Sequence, residues 1–140
     1  MELILADDDN VVLRFDFGEE VISELTAFVK EHGIDAASVS GIGSAKEVEI
    51  GFYDLESKEY RYKIFSEAME VLSINGNVGM MGANSKVHLH GTFALSNYQV
   101  IGGHIGRLIV NATAEIILDT VGGEIRRSYD EETGLDLLMQ

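Results

Sequence analysis

The segment Val87-His-Leu-His-Gly-Thr-Phe-Ala-Leu-Ser-Asn-Tyr-Gln-Val-Ile-Gly-Gly-His104 holds three of the four histidines in the chain. It reads as strand, turn and strand, with the polar Ser96-Asn97-Tyr98 stretch at the turn. Successive side chains of a strand point to opposite faces, so His88 and His90 project together while Val87, Leu89 and Phe93 face the other way. Where His104 falls depends on the turn. A three-residue loop, Ser96 to Tyr98, pairs Leu95 with Gln99 and sets His90 opposite His104 on one face, with Cβ atoms about 5 Å apart. A two-residue loop at Ser96-Asn97 would set His104 opposite Leu89 and aim it away, unless a bulge at Gly102-Gly103 restores the parity.

Outward from this hairpin, alternation of period two continues. It runs through Val11, Leu13, Phe15 and Phe17, through Val48, Ile50 and Phe52, and through Leu108, Val110, Ala112, Ala114, Ile116 and Leu118. Further strands are expected at Glu2 to Ala6, Ala37 to Ile42, Tyr60 to Phe65, Met69 to Asn77, Val100 to Ile105 and Arg126 to Tyr129. Glycine pairs such as Gly41 and Gly43 or Gly76 and Gly79 sit where such a sheet must bend. One helix stands out between Glu19 and His32, with Val21, Ile22, Leu25, Phe28 and Val29 at helical spacing. Asp16 and Glu19 resemble a capping pair at its start, while Lys30, His32 and Gly33 suit its end, which gives His32 a structural role. Short connections favour antiparallel pairing. The expected fold is α+β: a mostly antiparallel curved sheet or open barrel of about seven or more strands, flanked by the helix Glu19 to His32.

Composition narrows the function. At 140 residues without proline, repeat or linker, the chain is expected to form one domain over residues 1–140. Hydrophobic residues, 46% of the total, are dispersed, and the start Met-Glu-Leu-Ile-Leu-Ala turns acidic at Asp7 to Asp9. A soluble, cytoplasmic protein without membrane association follows as the expectation. There is no cysteine, so any metal must use histidine or carboxylate. Asp plus Glu number 24 against 10 Lys plus Arg, a formal charge of −14 that repels phosphate backbones and draws cations in.

Three neutral imidazoles converging on one face make a ligand set for a divalent metal ion, zinc in particular. They leave a fourth position open to water or a small-molecule ligand, which is how catalytic zinc is commonly held. Two carboxylates are candidates for the chemistry beside it. Glu115, alternating with Thr113 against apolar neighbours, would serve as a general acid or base or orient a ligand imidazole. Glu70, in Met69-Glu-Val-Leu-Ser-Ile-Asn-Gly76, is the second, against the alternative that it is an edge-strand charge that discourages aggregation.

Several stretches together resemble the PPC domain, the plants-and-prokaryotes-conserved domain: Gly41-Ile-Gly-Ser44, Gly51-Phe-Tyr-Asp54 with Lys58-Glu-Tyr60, Glu70 to Gly76, Val87-His-Leu-His-Gly91, Gly102-Gly-His104, Thr113-Ala-Glu115, and the ending around Asp130 to Leu138. The resemblance spans nearly the whole chain. It implies a mostly antiparallel sheet with a flanking helix, a homotrimer, and a metal ion on His88, His90 and His104. A similar fold and histidine arrangement in acetolactate decarboxylase and a zinc-dependent ester hydrolase imply hydrolase or lyase chemistry on a small carbonyl substrate. The alternative is a non-enzymatic module for oligomerisation or association with DNA, with structural metal. Plant members join the domain to proline-containing AT-hooks, and some bacterial members carry a DNA-binding label. Without proline and with this acidic balance, direct nucleic-acid binding is not expected here, and Lys58, Arg61 and Lys63 form too small a basic stripe to alter that.

Overall fold

In a computed structural model, which describes residues 1–139, the chain runs β1 (Glu2–Ala6), β2 (Asn10–Asp16), α1 (Val21–Glu31), β3 (Ala37–Asp54), β4 (Glu59–Phe65), β5 (Met69–Met81), β6 (Asn84–Leu95), β7 (Val100–Thr120), β8 (Arg126–Asp130) and β9 (Leu135–Met139). The α+β expectation holds. Nine strands form one sheet in the order β1-β2-β7-β3-β5-β8-β9, with β4 on β3 and β6 bridging β5 and β7. Because β3, β5, β6 and β7 each pair with the next and β7 returns to β3, this part of the sheet closes on itself. Pairing is antiparallel except between β5 and β8, which run parallel at Met80 opposite Arg126.

Two strands are longer than the alternation predicts. The stretches 37–42 and 48–52 belong to one strand, β3, and 100–105 and 108–118 belong to another, β7. Their pairing slips between Gly43 and Ala45, between Ala45 and Glu47, and between Glu49 and Ile50. Each slip is a bulge that bends the ribbon without ending it, and the bends let the sheet curl.

α1 is amphipathic as read, with Val21, Leu25, Phe28 and Val29 buried against β6 and β7. Its start lies later than expected. Glu20 is the N-cap, its carboxylate accepting from the Ile22 and Ser23 N–H groups at 3.1 and 2.7 Å. Glu20 also accepts from Leu108 N–H at 3.1 Å, tying the helix to β7. The Asp16–Glu19 pair forms just upstream, where Glu19 accepts from Asp16 N–H at 2.8 Å. At the other end the His32 ring stacks on Phe28, with centroids 4.0 Å apart, and bonds to its carbonyl, in keeping with a structural role. The core between helix and sheet centres on Leu13, Phe15, Leu25, Ile74, Leu89, Phe93, Leu108 and Ile116. Beneath the histidine strand it is therefore closed and apolar.

Candidate metal centre

The loop joining β6 to β7 has three residues. Leu95 N–H donates to the Gln99 carbonyl at 2.9 Å, and Tyr98 N–H donates to the Leu95 carbonyl at 2.8 Å. Tyr98 takes φ 64°, the left-handed residue that a three-residue hairpin loop uses to match the strand twist. This turn puts His90 opposite His104 with no bulge between them. Leu89 and Phe93 are fully buried, so His88 and His90, on the alternate positions, point outward. Ile105 is buried in the same way and turns His104 outward. Gly91 makes the inward packing possible, because a Cβ there would lie 2.6 Å from the Phe93 ring and 2.8 Å from Ile105.

The three rings meet. Centroids are 5.2 Å apart for His88 and His90, 5.1 Å for His88 and His104, and 5.4 Å for His90 and His104. One nitrogen from each lies within 4.8 Å of the other two, and among the described residues no other histidine, cysteine or carboxylate group converges in this way. A tetrahedral ion with nitrogens at about 2.1 Å would draw them to about 3.4 Å apart. His104 Nδ1 is buried without a hydrogen-bond partner, an orphan that a cation would satisfy. The residues present therefore fit a metal ion.

Electrostatics favours the ligating form. Burial, then the neighbouring His104, Arg127, His90 and Lys86, lowers the His88 pKa to about 4. Burial, with His90 and Lys86, lowers that of His104 as well. Both rings are neutral at pH 7, with lone pairs available. Arg127 Nη2 donates to His88 Nδ1 at 3.3 Å and to Asn77 Oδ1 at 2.8 Å. Arginine only donates, so neutral His88 carries its proton on Nε2. A cation would take Nδ1 in competition with the guanidinium, or would take Nε2 once the ring proton had moved to Nδ1 and the Arg127 bond had been given up.

Beside the rings opens a pocket of about 450 Å³, reached by His88 and His104 and walled by tyrosines 53, 60, 62 and 129. Tyr60 lies 4.8 Å from the His104 ring, centroid to centroid. The far wall is the β8–β9 hairpin. It is held by Tyr53 donating to the Thr133 carbonyl at 2.5 Å, Lys58 donating to the Glu131 carbonyl at 2.7 Å, and a Lys86–Asp136 ion pair. Sequence reasoning missed Tyr60, Tyr62 and Arg127 as neighbours of the histidines. A signal for the tyrosines existed in their period-two spacing on β4, whose strand pairs with β3 beside Gly51, the partner of His104.

The two candidate carboxylates lie elsewhere. Glu115 is exposed on β7, paired with Arg14 and Ile42, and lines a separate groove with Ser40, Asn75 and Ile117. It sits on the part of β7 beyond the β6 pairing, where the strand's neighbours are β2 and β3. Glu70 is exposed between Ser44 and Ala94, and since β5 is paired on both sides it is not an edge-strand charge.

A curled sheet with one helix behind a hairpin that clusters three imidazoles defines a class of small strand-rich α+β proteins with a candidate metal centre. The sequence profile of the Plants and Prokaryotes Conserved (PCC) domain matches residues 6–122, and the chain belongs to that family. Among solved structures it is similar to a protein of Bacteroides thetaiotaomicron whose given name proposes DNA binding, with 30% identity over 96% of this chain and 94% of that one and a TM-score of 0.93. It is similar to a metal-containing protein of Archaeoglobus fulgidus, with 34% identity, 99% and 97% coverage and a TM-score of 0.86. A plant- and prokaryote-conserved protein of Pyrococcus horikoshii gives 29% identity, 94% and 91% coverage and a TM-score of 0.86. No curated protein matches the chain. No helix among the described residues is long and apolar enough to cross a membrane.

Proposed function

We propose that the chain binds one divalent metal ion, zinc, through His88, His90 and His104, and acts as a hydrolase or lyase on a small carbonyl compound held in the adjoining pocket. The observation that carries this reading is the convergence of three imidazoles, two of which, His88 and His104, line a pocket of about 450 Å³. A purely structural ion would favour a closed fourth position. The metal-containing relative from Archaeoglobus, similar over nearly the whole chain, supports a bound metal. When bound, zinc would polarise a carbonyl oxygen or lower the pKa of bound water toward about 7. The chain's own contribution is to hold the ligand rings, with Arg127 and Tyr60 against two of them, and to wall off solvent with the tyrosines.

Assembly as a homotrimer belongs to this proposal. Ile42, Leu72 and Ile117 are each more than 40% exposed on the outer sheet face, an apolar surface suited to a second copy of the chain. Elemental analysis of untagged protein tests the metal reading, with stoichiometric zinc in the parent and loss of it in His88→Ala and His104→Ala. A parent without stoichiometric metal defeats it.

The second reading, a module that associates with DNA, is favoured by the name given to the Bacteroides relative. The charge of −14 weighs against direct binding. Retention on duplex DNA across a salt series separates the two; none is expected even at low ionic strength.

A further inference from the structure

In a chain with 24 acidic and 10 basic residues, the pocket beside the histidines gathers Lys58, Lys86 and Arg127 against one carboxylate, Asp136, which Lys86 already neutralises. A surplus of positive charge in so acidic a protein needs a reason. Arg127 is the sharpest case. The other four arginines each have a carboxylate within 4.0 Å, whereas Arg127, half-buried, has none among the described residues. Its Nη atoms donate only to neutral acceptors: the Asp136 carbonyl at 2.8 Å, Asn77 Oδ1 at 2.8 Å and His88 Nδ1 at 3.3 Å. Its Nε–H is buried and unpartnered. A guanidinium held in place without a counter-ion is costly unless an anion completes it.

We infer that this pocket binds a small organic carboxylate, with Arg127 as its charge partner and the tyrosine wall against its apolar body. The volume suits a molecule of modest size, and an apolar wall with a few convergent polar groups is the usual make-up of such a site. Arg127 lies on the β8–β9 hairpin, beyond residue 122 where the family match ends. Recognition of the ligand's charge is thus written in a segment separate from the metal hairpin. The inference deepens the proposed function and rests on it only for the claim that the carboxylate lies beside a metal ion.

The test uses benzoate, the isosteric but uncharged benzamide, and phenyl phosphate, titrated calorimetrically into the intact chain. Metal-free protein, treated with chelator, and zinc-loaded protein are both examined. Benzoate is expected to bind at least tenfold more tightly than benzamide in both forms, since the preference belongs to Arg127 and not to the ion. Arg127→Gln is expected to abolish the preference in metal-free protein. In the unsubstituted chain, the Arg127 Nε–H resonance should move on addition of benzoate and not of benzamide, a readout that does not depend on any variant folding. Equal binding of benzoate and benzamide by metal-free protein, or undiminished benzoate binding by folded Arg127→Gln, overturns the inference. Phenyl phosphate binding tenfold more tightly than benzoate overturns the carboxylate in favour of a phosphate ester. A parent that binds no metal but keeps the charge preference overturns the metal centre and leaves the anion site standing.

Discussion

His90 separates the metal centre from the fold more cleanly than either of its partners. It is exposed, whereas His104 is half-buried against Tyr60 and His88 accepts from Arg127. His90→Ala should therefore change the stability of metal-free protein by no more than about 0.5 kcal/mol. In the parent, free zinc at about 100 times its Kd stabilises the folded state by about 2.7 kcal/mol. With about 2.1 cal/mol/K of unfolding entropy per residue over 140 residues, near 290 cal/mol/K in all, Tm rises by about 9 °C. If loss of one ligand weakens the site about 100-fold, the same zinc leaves only RT ln 2, about 0.4 kcal/mol, or between about 1 and 2 °C. Thermal unfolding by circular dichroism, with chelator and with buffered zinc, reads both quantities on one sample. A parent whose Tm ignores zinc, or a His90→Ala variant that keeps the full rise, would refute the reasoning.

Acid should weaken the metal-free fold through His88. Its folded pKa, about 4, lies below the unfolded value of 6.5, so the unfolded chain binds more protons between those limits. Stability is then full above pH 6.5 and falls by about 2 to 3 kcal/mol as pH drops toward 4, a slope that urea titrations should find reduced in His88→Ala. Gly76→Ala would press a methyl group onto the His88 carbonyl oxygen across the β5–β6 ladder. It is expected to cost about 3 kcal/mol and to lower zinc content in the folded fraction; denaturation at unchanged midpoint would contradict this. Tyr98→Gly, at an exposed left-handed position, should stabilise the fold by about 1 kcal/mol without altering zinc content, as measured by urea midpoint and elemental analysis.

The metal hairpin could be read from sequence because its information is local. Leu89, Phe93 and Ile105 settle which side chains face the core, while the register stayed open between a two- and a three-residue loop until the structure showed the latter. The length of β3 and β7 was not legible, since bulges near Gly43 and Glu49 shift the alternation and make one strand look like two. The cap at Glu20 was missed because it depends on Leu108, 88 residues away, as much as on the local chain. Arg127 reaches the site through the parallel pairing of β8 with β5, and β9, a short terminal strand, gave no alternation of its own to read.

All three imidazoles lie on one hairpin of adjacent strands, while the pocket that adjoins them is assembled from β3, β4, β6, β7, β8 and β9. Under the proposed function, capture of the cation would rest on the β6–β7 hairpin, whereas contact with the pocket's ligand would rest largely on β4 and the terminal β8–β9 hairpin. On that reading a lineage could exchange the side chains of the terminal hairpin and take a new ligand while the imidazole triad stayed unchanged, so a shared triad would not imply a shared ligand.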